Sequence, residues 1–419
     1  MLHLNDLFGV KPKPHEVMSW LVVRSDRFKR FIEELKTNGI VSPDDFTPEV
    51  IEEIAGNIIG YRKDPKEKFL ADIINGPMDA DKLDYLVRDA YFAGPTVVYD
   101  LDRFLQTVDA IEYPRDPSLP GDSTKVVRLS VPIEGVTALE QIIISKLMLC
   151  SYLYHHHKIR CVEGMYYEVL NRCVELSASG QNTKKQKNKR RLPPLAHPTA
   201  FLRLSDRSIF PGDWPPEVEG DPIAGEIVNM LARRELYKRA LVMSRLFLPR
   251  IDTDERVNGG FERLLACARS TPERNALREE IFRKALEVMK LKRFSEETTA
   301  LRKRFKPSHV LVDIPRSPTV EETGAVMVRV SSERSEQDEV YVPLTDMFPI
   351  EKWVDAYNAI KWRGHVFTIE EAVPFVNRAA LDVLSAPPYY LEFTSQATEL
   401  CKIPDALHGT TSRHELFPK

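Results

Sequence analysis

"NGPMDADKLDYLVRDAYFAG", residues 75–94, decides how the rest of the chain is read. On a helix turning about 100° per residue, Asp81, Lys82, Tyr85 and Asp89 fall within an arc of about 100°. Leu83, Leu86, Val87 and Ala90 gather on the opposite side and are expected to face a core. Asp84 and Arg88 flank the polar arc at i,i+4, a pair worth about 0.3–0.5 kcal/mol. Two readings of the polar arc stand side by side. It is a solvated face, or it is a site. A carboxylate is a hard oxygen ligand for a divalent cation, and a lysine holds a phosphate as a point charge. A tyrosine hydroxyl and a second carboxylate can hydrogen-bond a sugar.

A chain of 419 residues with 43% hydrophobic and 29% charged side chains has room for two or three lobes of a globular protein. The net charge of −3 offers no overall basic field for nucleic acid. Apolar runs such as "LEQIII" and "RALVMSRLFL" fall short of the ~20 residues that span a bilayer, and the first residues lack a secretory apolar core. No membrane association is expected. Cys150, Cys161, Cys173, Cys267 and Cys401 are odd in number and form no CxxC pair, which favours a reducing cytoplasm over disulfides or structural zinc.

The first 175 residues read as mostly helical. Apolar residues between Met18 and Leu35 recur at helical spacing, and the pattern stops at Gly39. Thr47 and Pro48 start a helix, and Asp100 can cap one over "LDRFLQTVDAIEY". "KVVRLSVP" reads as a strand. Thr137 and Glu140 suggest a capping box for a long helix reaching "NRCVEL". On that helix Lys146, Cys150, Tyr154 and His157 share one arc. "SASGQNTKKQKNKRRLPP" is a basic loop or linker. "EIVNMLARRELYKRALVMSRLF" and "PERNALREEIFRKALEVMKLKRF" are helical again. From His309 onward, "HVLVDIP", "AVMVRVS" and "EVYVPL" suggest a small sheet, followed by a helix over "TIEEAVPFVNRAALDVL".

The 75–94 segment resembles one found in HD-superfamily phosphohydrolases of the SAM-and-HD-domain and dGTPase type, with its D-x-D-K-x-D-Y run, R-D pair and following glycine. "KPHEVMSWLVV", "GVTALEQIIISKLMLCSYLYHHHKIRCVEGM", "LARRELYKRA" and "VLVDIPRSPTV" resemble other family segments in the expected order, up to about residue 368. The resemblance implies a mainly α protein: an HD-domain helical bundle with a smaller C-terminal α+β lobe. Its implied parts are an HD-type domain over 1–178, a linker over 179–195, a helical lobe over 196–305, and a small α+β subdomain and tail over 306–419. It implies a metal-dependent nucleotide phosphohydrolase, most specifically a dNTP triphosphohydrolase, using a divalent metal (Mn, Mg, Fe or Zn) and assembling as a dimer or tetramer. Asp81 matches a metal-ligand aspartate, and Lys82 and Tyr85 match phosphate-contacting positions. Asp89 matches a position that reads the sugar hydroxyl, Tyr154 a sugar-packing tyrosine, and His15 a catalytic histidine near the scissile phosphate. Lys146 and Cys150 stand where the dNTP-hydrolysing branch tends to have arginine and histidine, which leaves another phosphate ester open as substrate.

The family's upstream histidine and His-Asp pair have no counterpart in the fourteen residues before His15; His3 and Asp6 are the nearest candidates. A longer natural chain is the expectation, with a degenerate, metal-free nucleotide- or nucleic-acid-binding regulator as the alternative. Three adjacent histidines at His155–His157 fan out by about 100° each and cannot converge on one ion. His157 is read as the one facing the substrate cleft and the other two as solvated. The basic run Lys184–Arg191 reads as a solvated loop with a weak nucleic-acid contact as the alternative, and Asp313 as a strand-end turn with a site residue as the alternative.

Overall fold

The computed structural model describes residues 12–96, 99–113, 125–178, 218, 220–291, 298–316, 326–330, 340–399 and 401. His3, Asp6 and the Lys184–Arg191 run lie outside them. The described chain is mainly α, with strands in the minority. In order, the elements used below are helices α1 (Pro14–Val23), α2 (Asp26–Thr37), α3 (Pro48–Ile58), α4 (Lys68–Asn75), α5 (Ala80–Ala93) and α6 (Leu101–Thr107). Strands β1 (Asp109–Tyr113) and β2 (Val126–Pro132) and helices α7 (Val136–Leu149), α8 (His157–Ala178) and α9 (Ala224–Ala232) come next. Then come β3 (Lys238–Met243), α10 (Glu255–Ala266), α11 (Thr271–Met289), β4 (Val310–Asp313), β5 (Met327–Val330), β6 (Val340–Pro343), β7 (Gly364–Thr368) and α12 (Val373–Ser385).

The chain divides into two compact units, each built from separated stretches rather than from consecutive lobes. The first takes the chain up to Tyr152 and recruits Thr319–Lys352; the second runs from Leu153 and takes in Leu204–Pro318 and everything from Trp353. Helix α8, read from sequence as part of the first domain, therefore belongs to the second unit. The three late strand segments do not form one sheet. β5 and β6 join β1 and β2 in the order β1-β2-β5-β6, while β4 joins the order β3-β7-β4. In the first sheet β2 runs parallel to β5 and the other pairs are antiparallel.

In the first unit, local chemistry sets the helix ends. The pattern from Met18 to Leu35 breaks in two, because Ser25 takes an extended backbone and its Oγ accepts from Phe28 N at 3.2 Å. Thr47 caps α3 as expected, accepting from Val50 N. Trp20 and Val23 of α1 pack with Ile51, Ala55 and Ile59 from α3 and its end. Asp100 caps α6, but that helix stops at Thr107, and Asp109–Tyr113 is strand β1. Its burial alternates, with Ile111 and Tyr113 inside, which is a strand period rather than a helical one. Nor does Thr137 open α7. A 3-10 turn over Ile133–Gly135 leads into that helix, whose cap residue Gly135 makes no side-chain cap bond.

The long helix is likewise interrupted. α7 passes into a π turn at Cys150–Tyr154, and regular α-helix resumes at His157. A wheel drawn straight through this region does not hold, since a π turn adds a residue to the repeat. The helical stretch Ile133–Tyr154 has the length and hydropathy to cross a bilayer, where the sequence reading saw no such run. Of its most apolar window, 44% is buried within the fold, which a core helix explains equally well.

In the second unit, "KRALVM" is a strand, not the helix expected. Ala240, Leu241, Val242 and Met243 are all fully buried, a continuous apolar run that fits a sheet covered on both faces. The β3–β7 register shifts between Arg239 and Leu241. The Asn377 amide of α12 donates to the Ala240 carbonyl at this irregularity. α11 and α12 pack together, with α11 against β4 and α12 against β3. At Gly260 of α10 a Cβ would sit 1.5 Å from the Tyr389 carbonyl oxygen.

One ion pair fastens a helix to the first sheet. Arg128 of β2 donates Nε to Asp72 Oδ2 of α4 at 2.7 Å, and Leu129 N donates to the same oxygen at 3.2 Å. The side chains are 11% and 4% exposed. Removing one partner strands a charge in a poorly solvated place. Asp72→Ala is expected to destabilise the first unit by about 3 kcal/mol or more, read as a lower urea midpoint. Asp72→Ala combined with Arg128→Met should recover much of that loss.

Candidate functional site

The polar arc of α5 begins with a tightly built corner. Gly76 ends α4 where a Cβ would lie 2.3 Å from the Asp72 carbonyl oxygen, so only glycine fits there. Asp79 then caps α5, accepting from Lys82 N at 2.8 Å. The Lys82 ammonium closes the corner by donating to Gly76 O at 3.0 Å and to Asp79 Oδ2. Lys82 is thus held with its charge in a set place, and part of its hydrogen bonding serves the fold. Tyr99 donates its hydroxyl to Leu83 O, holding the first turn from another side. Gly94, with φ +90°, ends the helix in the left-handed conformation glycine favours.

Asp81 is exposed at the head of the arc, and Lys82, Tyr85 and Asp89 are half-buried along it. Leu86 and Ala90 are buried on the opposite side as expected, but Val87 is 49% exposed. Asp84 and Arg88 form the expected pair at 2.9 Å in an exposed position. α5 packs against α7, the helix that carries Lys146. Lys146 is half-buried. Burial pushes the Cys150 thiol up to about 11, and the nearby Lys146 charge opposes that rise. The thiol is therefore un-ionised and unreactive at neutral pH.

His15 lies on α1, which packs on α3. Its side chain is 76% exposed, with Nε2 3.8 Å from Glu16 Oε1. Glu16 itself is turned to the chain, accepting from Lys13 N at 2.7 Å.

Tyr154 and His157 belong to the second unit. Tyr154 is half-buried at the end of the π turn. His157 opens α8. Burial and then the charge of Arg239 hold its pKa down to about 4, so it offers a neutral imidazole at pH 7 rather than a cation for phosphate. His156 is exposed, as expected. His155 is not a solvated residue: it is half-buried, with Nδ1 3.0 Å from the Tyr357 hydroxyl.

The second unit holds a polar cluster that sequence reading passed over. Asp313, the last residue of β4, is a buried ionic centre and not a strand-end turn. Arg160 of α8 donates Nε to its two oxygens at 3.1 and 3.2 Å and also donates Nη2 to Oδ1. Arg160 Nη1 reaches Glu163 at 2.6 Å. His365 of β7 stands behind, Nδ1 3.5 Å from Asp313 Oδ2, a close approach without hydrogen-bond geometry. Burial pushes the Asp313 carboxyl up, but His365 and Arg160 outweigh it and hold the group below the usual range. The signal available in sequence was one aspartate ending an apolar strand; its partners lie 153 and 52 positions away.

A divalent metal needs several donors held together. Among the described residues no group of three or more His, Cys, Asp or Glu side chains is arranged to hold one. Asp81 is a single exposed carboxylate, so these residues do not fit a metal centre.

No family model matches the chain. It is 30% identical over 173 residues to an uncharacterised protein of Methanocaldococcus jannaschii, a match spanning 41% of this chain and 31% of that protein. It is 30% identical over 116 residues to the uncharacterised protein YwfO of Bacillus subtilis, spanning 27% of this chain and 24% of that one. The chain thus spans a third or less of the length of these relatives. A hypothetical protein from Aquifex aeolicus, solved by crystallography, aligns over 90% of this chain and 77% of its own with a TM-score of 0.49 and 18% identity.

The histidines make stability depend on pH. Burial, followed by the charge of Arg160, holds His155 down to about 4, against an ordinary value near 6.5. A depressed histidine keeps its full contribution above about pH 6.5 and loses it as pH falls toward 4, because the unfolded chain binds the proton first. For His155 the span is on the order of 3 kcal/mol, and His157 acts in the same direction. Thermal melts should drop between pH 6.5 and 4.5, and His155→Gln should make that slope shallower.

Proposed function

We propose that this chain is a nucleotide-acting phosphohydrolase of the HD type, a dNTP triphosphohydrolase being the specific form. The observation that carries the reading is the corner ahead of α5. Gly76, Asp79 and Lys82 are tied together there, and Asp81, Tyr85 and Asp89 continue the same arc. A plain solvated helix face has no need of a glycine packed against backbone and a lysine locked to its own cap. Such a corner fixes the start of the arc before any ligand arrives, which lowers the ordering cost of binding.

In this reading Lys82 and Tyr85 hold phosphate oxygens, and Asp89 accepts from the sugar hydroxyl. Lys146 adds positive charge from α7. On the same unit His15 handles a proton. A divalent metal (Mn, Mg, Fe or Zn) would supply an activated water and charge neutralisation. Among the described residues Asp81 alone does not make its site.

That same donor set favours a second reading, a nucleotide-binding regulator without turnover. The five cysteines are buried and form no disulfide among the described residues, which supports the cytoplasm as the location. Tyr91 and Phe92 at the end of α5 are each 80% exposed and meet edge to face at 5.2 Å, and this supports assembly with a second copy.

The deciding experiment offers each dNTP with manganese or magnesium, follows tripolyphosphate release, and measures binding by calorimetry. Turnover abolished by Asp81→Ala is the expected result. Binding without turnover, insensitive to Asp81→Ala, would establish the regulator instead. Neither binding nor turnover with any dNTP sinks both.

A further inference from the structure

A cleft of about 210 Å³ opens in the second unit, where α8, the start of α11 and β4 come together. It is smaller than the ~300–1,000 Å³ of pockets for drug-sized ligands, so its occupant is small. Gly164 sets the spacing of one wall, since a Cβ there would come within 3.1 Å of Leu311 Cδ1. We infer that this cleft is a binding site for a small oxyanion, a phosphate or a carboxylate.

Charge and hydrogen bonding on the lining support this. Three guanidinium groups and three carboxylates face the cleft, and the carboxylates are already engaged. Glu168 accepts from Arg278 Nη1 at 2.5 Å, while Asp313 and Glu163 both accept from Arg160. Donors remain over. Arg274 forms no ion pair among the described residues; its guanidinium lies 5.7 Å from the centre of the Tyr167 ring and gives one long bond, 3.4 Å, to Thr271 Oγ1. Arg278 Nε is buried and has no hydrogen-bond partner among the described residues. Buried donors are almost always satisfied, and a guanidinium matches an oxyanion with two parallel bonds. The Asn275 side chain lines the same mouth. Leu311, Ile314 and Phe367 add apolar lining, and a less polar surround strengthens a charged contact. A cation is disfavoured because every carboxylate in the cleft already carries its counter-charge.

The cleft is built wholly from the second unit and the α5 arc from the first, and the inference does not rest on the hydrolase reading. Inorganic phosphate and, separately, succinate should be titrated into the full chain at low ionic strength by calorimetry. Saturable one-site binding of either anion is expected; phosphate alone identifies a phosphate ligand and succinate alone a carboxylate one. Arg274→Ala should weaken it by roughly ten-fold or more, and Lys29→Ala, at an exposed position of the first unit, should leave it unchanged. If circular dichroism shows that Arg274→Ala misfolds, Arg274→Lys keeps the charge and loses the fork, and should still weaken binding. No saturable heat with either anion overturns the site. So does equal affinity in the folded Arg274 variants, or loss of binding in Lys29→Ala, which would place the anion on the first unit.

Discussion

The Asp72 carboxylate is the point on which the first unit turns. It accepts from Arg128 and from the Leu129 amide, so α4 cannot slide along β2. Four residues later the chain folds back over the Asp72 backbone at Gly76, closely enough that no side chain fits. Everything the α5 arc presents follows from that corner, because Asp79 and Lys82 complete it within the next six residues. The ion pair alone is weak evidence for stability, since desolvation of both groups offsets their attraction. Its value is geometric: it specifies one register between helix and sheet.

The second unit solves a comparable problem with different groups. Asp313 would be costly to bury as a charge, and Arg160 makes it tolerable by meeting the carboxylate through two of its nitrogens. Arg278 meets Glu168 more simply, through Nη1 alone. In that unit burial pushes the Glu168 carboxyl up, with Arg278 pulling against it. Ion pairs buried this way fix helices against the sheet, and they leave the unpaired donors of Arg274 and Arg278 as the groups still able to take a ligand.

Much of the first unit was legible because its signals are local. The Thr47 and Asp100 caps, the Asp84–Arg88 pair and the Leu86–Ala90 face all depend on neighbours within one turn. Misreadings came where local and distant preferences conflict. "RALVMS" reads as helix by pattern, yet burial on both faces makes it a strand paired to β7. "DAIEY" carried a period of two that the preceding helix masked. The π turn at Cys150 has no sequence mark at all, and it removed the single arc proposed for Lys146, Cys150, Tyr154 and His157.

By itself the sequence determined the helical character, most caps and the four polar residues on one arc of α5, because side-chain periodicity and capping are short-range physics. Tertiary structure alone decided that Lys82 is locked to Asp79 and Gly76, that β5 and β6 serve a different sheet from β4, and that Asp313 meets Arg160 and His365. Those outcomes depend on which distant segments share one buried space. A charge is tolerated in such a space only where a partner from elsewhere in the chain arrives with it.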